Sequence, residues 1–261
     1  MNYAEVLARS TNSEDALTER VFGLLRYLPA TEVVSRLMAY ARWKLGPPAG
    51  TFDDVRSMSV HFWPRSKGHG IPDVLLLFES AGRGWAVIVE CKYGAGKSQW
   101  GEALAEEEAL VTAEGEERAD QLARYWRALR SGALEACPES ALVPEASTAV
   151  LYLTDDLAPP ADEIRESAHA APTMRLGWLS WGDVLRIALE CCAVESIGPS
   201  AAVAHDLAEY LAQLGVVSFS GFSRECLLER LRPHEGRFPV QPLWGSAVFG
   251  EPPNPNVTWH F

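Results

Sequence analysis

Apolar positions along the chain recur at two spacings, one helical and one alternating, and the changes between them lay out a series of helices and strands. Over 13–27 the helical spacing is carried by Ala16, Leu17, Val21, Leu24 and Leu25, with Leu28 just beyond. Ser13 is placed to cap this helix, and Glu14 and Asp15 fall in a first turn that favours acids. A second helical pattern over 31–44 uses Val33, Val34, Leu37, Met38 and Ala41 before Gly46-Pro47-Pro48 stops it. Residues 55–63 alternate loosely and predict a first strand. Residues 71–80 and 83–92 read as the two arms of a hairpin, rich in β-branched and aromatic side chains. A helix over 117–130 follows, with Leu122, Tyr125, Trp126 and Leu129 as its apolar stripe.

The run 148–154 is continuously apolar, as a strand buried on both faces requires. Asp155-Asp156 after it suit a turn or cap, and Pro159-Pro160 break the chain. A last strand is predicted over 174–180. Ser180 or Asp183 would cap a helix over 184–192, and further helical stretches lie at 200–215 and 226–231. Residues 233–261 are rich in Pro, Gly and aromatics and read as an irregular arm. The predicted fold class is α/β, a mixed central sheet flanked by helices. Residues 1–195 would form the core, and 196–261 a helical and irregular C-terminal extension packed on it.

The hairpin carries the candidate chemistry. With Ala81 and Gly82 as turn residues, Ser80 pairs with Arg83 and the register sets Asp73 opposite Glu90. Cross-strand partners share a face with Cβ atoms about 5 Å apart. Glu90 and Lys92 point to the same side and Cys91 to the other. Two carboxylates and an ammonium gathered among apolar strands are costly unless a cation or charged ligand joins them. A divalent metal answers this, since Mg²⁺ takes carboxylate oxygens, water and phosphate. Lys92 could orient a water or balance charge on phosphorus. An ordinary surface ion pair between Glu90 and Lys92 is the plain alternative.

Pro72-Asp73 with Glu90-Cys91-Lys92 resembles the PD-(D/E)XK, or restriction-endonuclease-like, phosphodiesterase superfamily. Glu14-Asp15-Ala16-Leu17-Thr18 resembles its first-helix glutamate in an E-x-x-L-T setting, with Glu19 as the alternative glutamate. Gln121-Leu122-Ala123-Arg124-Tyr125 resembles the Q-x-x-x-Y signature of exonuclease-like branches. The motifs stand in the family order and span roughly residues 10–190. The resemblance implies a restriction-endonuclease-like core in which Asp73, Glu90 and the main-chain carbonyl of Cys91 hold Mg²⁺ or Mn²⁺. It implies that Glu14 assists, that Lys92 positions the attacking water, and that Gln121 and Tyr125 line the cleft and touch the substrate backbone. Packing in the core is the other reading of Tyr125.

Lys97 follows the second arm in Tyr93-Gly94-Ala95-Gly96-Lys97-Ser98, where a substrate contact is expected. A Walker phosphate loop is excluded, because the first glycine it needs is Cys91. The loop 64–70, with Arg65, Lys67, His69 and two glycines, suits either a phosphate contact or a solvated connection.

Composition adjusts this picture. The chain has 261 residues, 48% of them hydrophobic, which excludes wholesale disorder. Its net charge of −12 opposes non-specific attraction to nucleic acid. Much of the acid lies in 102–120, however, and Arg56, Arg65, Lys67, Arg83, Lys92 and Lys97 gather around the hairpin. Five cysteines, odd in number and without a C-x-x-C, argue against a disulfide framework or zinc site and for a reducing, cytoplasmic setting. No apolar run reaches membrane-spanning length, and the N-terminus shows no signal pattern. The six histidines are scattered and no G-x-S-x-G occurs, which disfavours a histidine or serine hydrolase. The expected function is therefore a metal-dependent nuclease acting on DNA in preference to RNA. The alternative is a non-catalytic binding or assembly protein that keeps the fold. A homodimer, or a protein partner met by the C-terminal arm, is compatible with either.

Overall fold

The computed structural model describes residues 14–48, 50–66, 68–94, 120–134, 137, 140, 143–194 and 198–217. The chain divides into two compact units, Met1–Phe219 and Ser220–Phe261, and every described residue lies in the first. The acidic run, Lys97, Ser13, Lys67, Cys226 and the C-terminal arm lie outside the described residues.

The elements in order are α1 (Glu14–Leu25), α2 (Ala30–Tyr40), β1 (Arg42–Leu45), β2 (Val55–Phe62), β3 (Val74–Ser80), β4 (Arg83–Cys91), α3 (Gln121–Ser131), β5 (Thr148–Thr154), α4 (Ala161–Ala170), β6 (Leu176–Ser180), α5 (Trp181–Val194) and α6 (Pro199–Gln213). The fold is α/β, as the periodicity predicts. Six strands form one mixed sheet in the order β1-β6-β5-β4-β3-β2. Strands β4, β5 and β6 run parallel, while β2, β3 and β1 join as antiparallel partners. The parallel strand β5 is buried along its whole length, which explains its unbroken apolar sequence.

Alternation along β3 and β4 splits the core into two layers. Val74, Leu76, Phe78, Val87, Val89 and Cys91 face a layer that includes residues of α1, α2, α5 and α6. Leu75, Ala86 and Ile88 face the other, built on α3, with Tyr152 and Trp178 beside them. Helix α6 supplies Leu207, Tyr210 and Leu211 to the first layer, so the first helix of the expected extension is part of the core unit.

Two local departures from the sequence pattern are informative. The helix expected over 31–44 stops at Tyr40, and Arg42–Leu45 becomes an edge strand paired with β6. Gly177 decides this: a Cβ there would stand 3.1 Å from Trp43 and 2.9 Å from Leu151, so its bare backbone admits the Trp43 ring. A register shift between Trp43 and Leu45 then turns Leu45 toward the opposite layer. Helix α4 has no counterpart in the predicted elements. The Pro159-Pro160 pair that ends one segment also starts this one, with Asp162 and Glu163 in its first turn and His169 in its last.

Residues 180–183 begin α5 as a reciprocal cap. Asp183 Oδ2 accepts from the Ser180 N–H and hydroxyl, while the Asp183 N–H donates to Ser180 Oγ. Cys91, Cys191 and Cys192 are free thiols. Among the described residues no helix is long and apolar enough to cross a membrane.

Helix α3 is seated by its own N-cap. Asp120 accepts from the Ala123 N–H at 2.9 Å and from the Ser167 hydroxyl at 2.7 Å. Loss of this cap in Asp120→Ala should lower stability by about 1 kcal/mol. The urea midpoint measures it, and an unchanged midpoint would show that the cap contributes nothing.

Candidate active site

The hairpin turn is left-handed at both positions, with φ of 51° at Ala81 and 71° at Gly82. That is the turn whose twist matches the strands. Ser80 pairs with Arg83 and Val74 with Val89, so the register brings Asp73 opposite Glu90 as expected. Alternation from Leu75 and Ile88 turns both carboxyls toward α3.

Asp73 closes the hairpin mouth with main chain and side chain together. Its carbonyl accepts from the Trp63 N–H at 3.0 Å, and Oδ2 accepts from the Cys91 N–H at 2.7 Å. Glu90 is 2% exposed. Its Oε1 accepts from Lys92 Nζ at 2.6 Å and from Gln121 Nε2 at 2.8 Å. Its Oε2 is buried with no hydrogen-bond partner.

Glu14, the first residue of α1, reaches the same group from the far end of the sequence. Its Oε1 accepts from Lys92 Nζ at 3.3 Å and its Oε2 from the Tyr93 N–H at 3.1 Å. Glu19 is exposed, and of the two helix glutamates it is Glu14 that bonds Lys92. Glu14 meets the carboxyl pair through Lys92. Among the described residues, the only three acid or histidine groups with ligand atoms mutually within 4.8 Å are His205, Asp206 and Glu209 on α6.

Gln121 extends a chain of hydrogen bonds away from Glu90. It donates to the Tyr125 hydroxyl at 2.8 Å, which donates to the Ile71 carbonyl at 3.0 Å. Tyr125 is buried, so it belongs to the core and to the site at once. Its hydroxyl fixes the segment leading into Asp73 through the Ile71 carbonyl. Gln121 is itself solvent-accessible.

The main chain after Glu90 is pinned from behind. The Lys92 N–H donates to the Leu153 carbonyl at 2.7 Å, and the Trp181 indole donates to the Lys92 carbonyl at 2.9 Å. The Tyr93 hydroxyl donates to the Leu214 carbonyl at 3.1 Å. Lys97 lies outside the described residues, so the site is built here from Glu14, Asp73, Glu90, the Cys91 main chain, Lys92, Gln121 and Tyr125.

Burial and mutual repulsion set the protonation of the pair. Burial first, and the nearby Glu14 charge, push Asp73 up to about 6 against the pull of the Cys91 N–H and Lys92. Burial and the Asp73 charge push Glu90 up to about 8. Lys92 is held well above its ordinary range, because Glu90, Glu14 and Asp73 together outweigh its burial. Burial and the Glu90 charge keep the Tyr125 phenol un-ionised.

Arg124 is the residue that sequence reasoning passes over. It sits inside the Q-x-x-x-Y segment, and a Cβ on Gly70 would stand 3.8 Å from its guanidinium and 3.5 Å from the Tyr125 ring. Its buried Nε has no hydrogen-bond partner. The signal was a cation between the two motif residues.

Both carboxyls are harder to ionise folded than unfolded, so between about pH 4 and 8 the native state binds more protons. By linkage, the stabilisation is complete below the ordinary carboxyl range and is lost as pH rises through 6 to 8. With chelator present, the thermal midpoint of the wild type should therefore fall as pH rises from about 5 to about 8. Glu90→Gln places a donor where the unpartnered oxygen stood, so it should flatten this fall and melt higher than the wild type at the alkaline end. Parallel wild-type and variant curves would show that the pair does not titrate in this way.

Set against protein-family models, curated proteins and solved structures, the chain matches none.

Proposed function

We propose that this chain is a metal-dependent phosphodiesterase that hydrolyses nucleic acid, DNA in preference to RNA. The observation that carries the reading is the Asp73–Glu90 pair: two carboxyls on adjacent strands, close enough to share a proton, with no other group donating to Glu90 Oε2. The resemblance of the motif residues to the PD-(D/E)XK superfamily supports the same reading.

The donor set fits a divalent cation. Hard oxygen ligands suit Mg²⁺ or Mn²⁺, and a cation beside Glu90 Oε2 would relieve both the desolvation and the repulsion that hold the pair protonated. Asp73, Glu90 and the Cys91 carbonyl are the groups that would hold it. When bound, the ion supplies polarisation of a phosphoryl oxygen and a lowered pKa for water.

The remaining work falls to the chain's own residues. The carboxylates around Lys92 favour its ammonium form, which suits it to donate hydrogen bonds. Pinned between Glu90 and Glu14, its ammonium is suited to orient the attacking water and to offset charge growing on the phosphoryl oxygens. Water adds to phosphorus in line with the departing ester oxygen. One P–O bond forms as the other breaks, without a covalent enzyme intermediate. Gln121 fixes the Glu90 carboxyl from the outer side, and Tyr125 holds the Ile71–Asp73 approach.

The net charge of −12 favours a second reading, a binding or assembly protein that keeps the fold without catalysis. Divalent-ion titration separates the two. Mg²⁺ or Mn²⁺ should raise the wild-type melting temperature, more so as pH rises through 6 to 8, and Asp73→Ala or Glu90→Ala should abolish the shift. On plasmid, linear and single-stranded substrates, Lys92→Ala should lower kcat by about 100-fold or more. A flat thermal response in the wild type, with no cleavage of any substrate, would leave the binding-protein reading.

A further inference from the structure

Strand β2 ends beside the candidate site in an unusual way. Trp63 has a φ of 47°, in the left-handed region that bulky side chains rarely enter. Its N–H is tied to the Asp73 carbonyl at 3.0 Å, which makes it the cross-strand neighbour of that carboxylate residue. Backbone strain of this kind persists only where the surroundings impose it, and it concentrates at working sites.

The turn that strains the backbone also leaves the indole outside the core. Trp63 is 39% exposed, and its ring tilts by 39° against Phe62 at a centroid distance of 5.5 Å. Phe62 packs on the core below it. Ile71, 44% exposed, stands two residues before Asp73. Two exposed apolar side chains thus stand near Asp73 along the backbone, Trp63 just after β2 and Ile71 just before β3. Cations lie alongside, with Arg65 exposed two residues after Trp63 and the Arg124 guanidinium against Gly70.

A ligand matching this border has a flat apolar face, an anionic group one nucleotide step away, and no need of a partner strand. We infer that Trp63 stacks an unpaired base of the substrate beside the phosphodiester brought to the Asp73–Glu90 site, so that the site takes single-stranded DNA or frayed duplex ends. This rests on the nuclease reading above and adds the substrate form to it. Bases in an intact duplex are stacked on one another and offer no free face, whereas aromatic side chains accept any unpaired base.

The test uses the full chain with Trp63→Phe and Trp63→Gly. Glycine tolerates positive φ, so Trp63→Gly removes the ring while relieving the backbone, and its melting temperature should hold or rise. Cleavage of a single-stranded oligonucleotide and of the same sequence as a blunt duplex is measured with Mn²⁺. Binding of both is measured by fluorescence anisotropy in the Glu90→Gln background. Trp63→Gly should raise the single-strand KM and Kd by about tenfold, the size expected for one lost stacking contact, and change the duplex values far less. Trp63→Phe should recover most of the loss. Equal losses on both substrates, or no recovery by phenylalanine, would overturn the stacking role while leaving the nuclease reading intact. Single-strand binding that depends on Trp63 without cleavage by the wild type would sustain the stacking role and overturn the nuclease reading.

Discussion

Two carboxyls that cannot both ionise comfortably sit across one strand pair, and the rest of the molecule is arranged around that conflict. The strands supply the closeness, since cross-strand partners have nowhere else to point. Burial supplies the cost, because Glu90 has almost no contact with water and one of its oxygens has no donor. Protons settle the conflict at low pH, Lys92 settles part of it at any pH, and a divalent cation would settle it fully. A group kept in such a state is poised to bind something, which is why the pair, and not the fold, carries the functional proposal.

The scaffolding makes the conflict tolerable. Lys92 is held by Glu90 and Glu14 at its ammonium and by Leu153 and Trp181 along its main chain. Gln121 and Tyr125 close the other side and anchor the segment entering Asp73. The two sides come from different layers of the core, α1 and α5 behind the sheet and α3 in front of it. The site therefore stands where both layers meet the ends of the central strands. Its charges are fixed in place by apolar packing that has no chemistry of its own.

Much of this was legible in residue order. Alternation and β-branching marked β3 and β4, and the Ala81-Gly82 turn set their register, so the facing of Asp73 and Glu90 followed from counting. Helical spacing in α3 placed Gln121 and Tyr125 one turn apart. Legibility failed where the deciding partner is remote. Arg42–Leu45 continues a helical pattern by local spacing, yet the slot over Gly177 makes it a strand. Tyr125 fitted both core and site, and only the fold shows its hydroxyl bonded to Gln121 and to the Ile71 carbonyl. Trp63 looked like the end of a strand, because nothing in the residues around it signals a positive φ.

The sequence by itself determined most of the helices and strands, though not β1 or α4, together with the apolar face of each and the residues that oppose one another across the hairpin. These follow from local periodicity and turn geometry, both of which are properties of short stretches of chain. Only the tertiary structure decided that Glu14 shares Lys92 with Glu90, that β1 closes one edge of the sheet, and that one Glu90 oxygen lies buried without a donor. Those outcomes depend on long-range packing, in which residues far apart in the chain compete for the same space and the same hydrogen bonds.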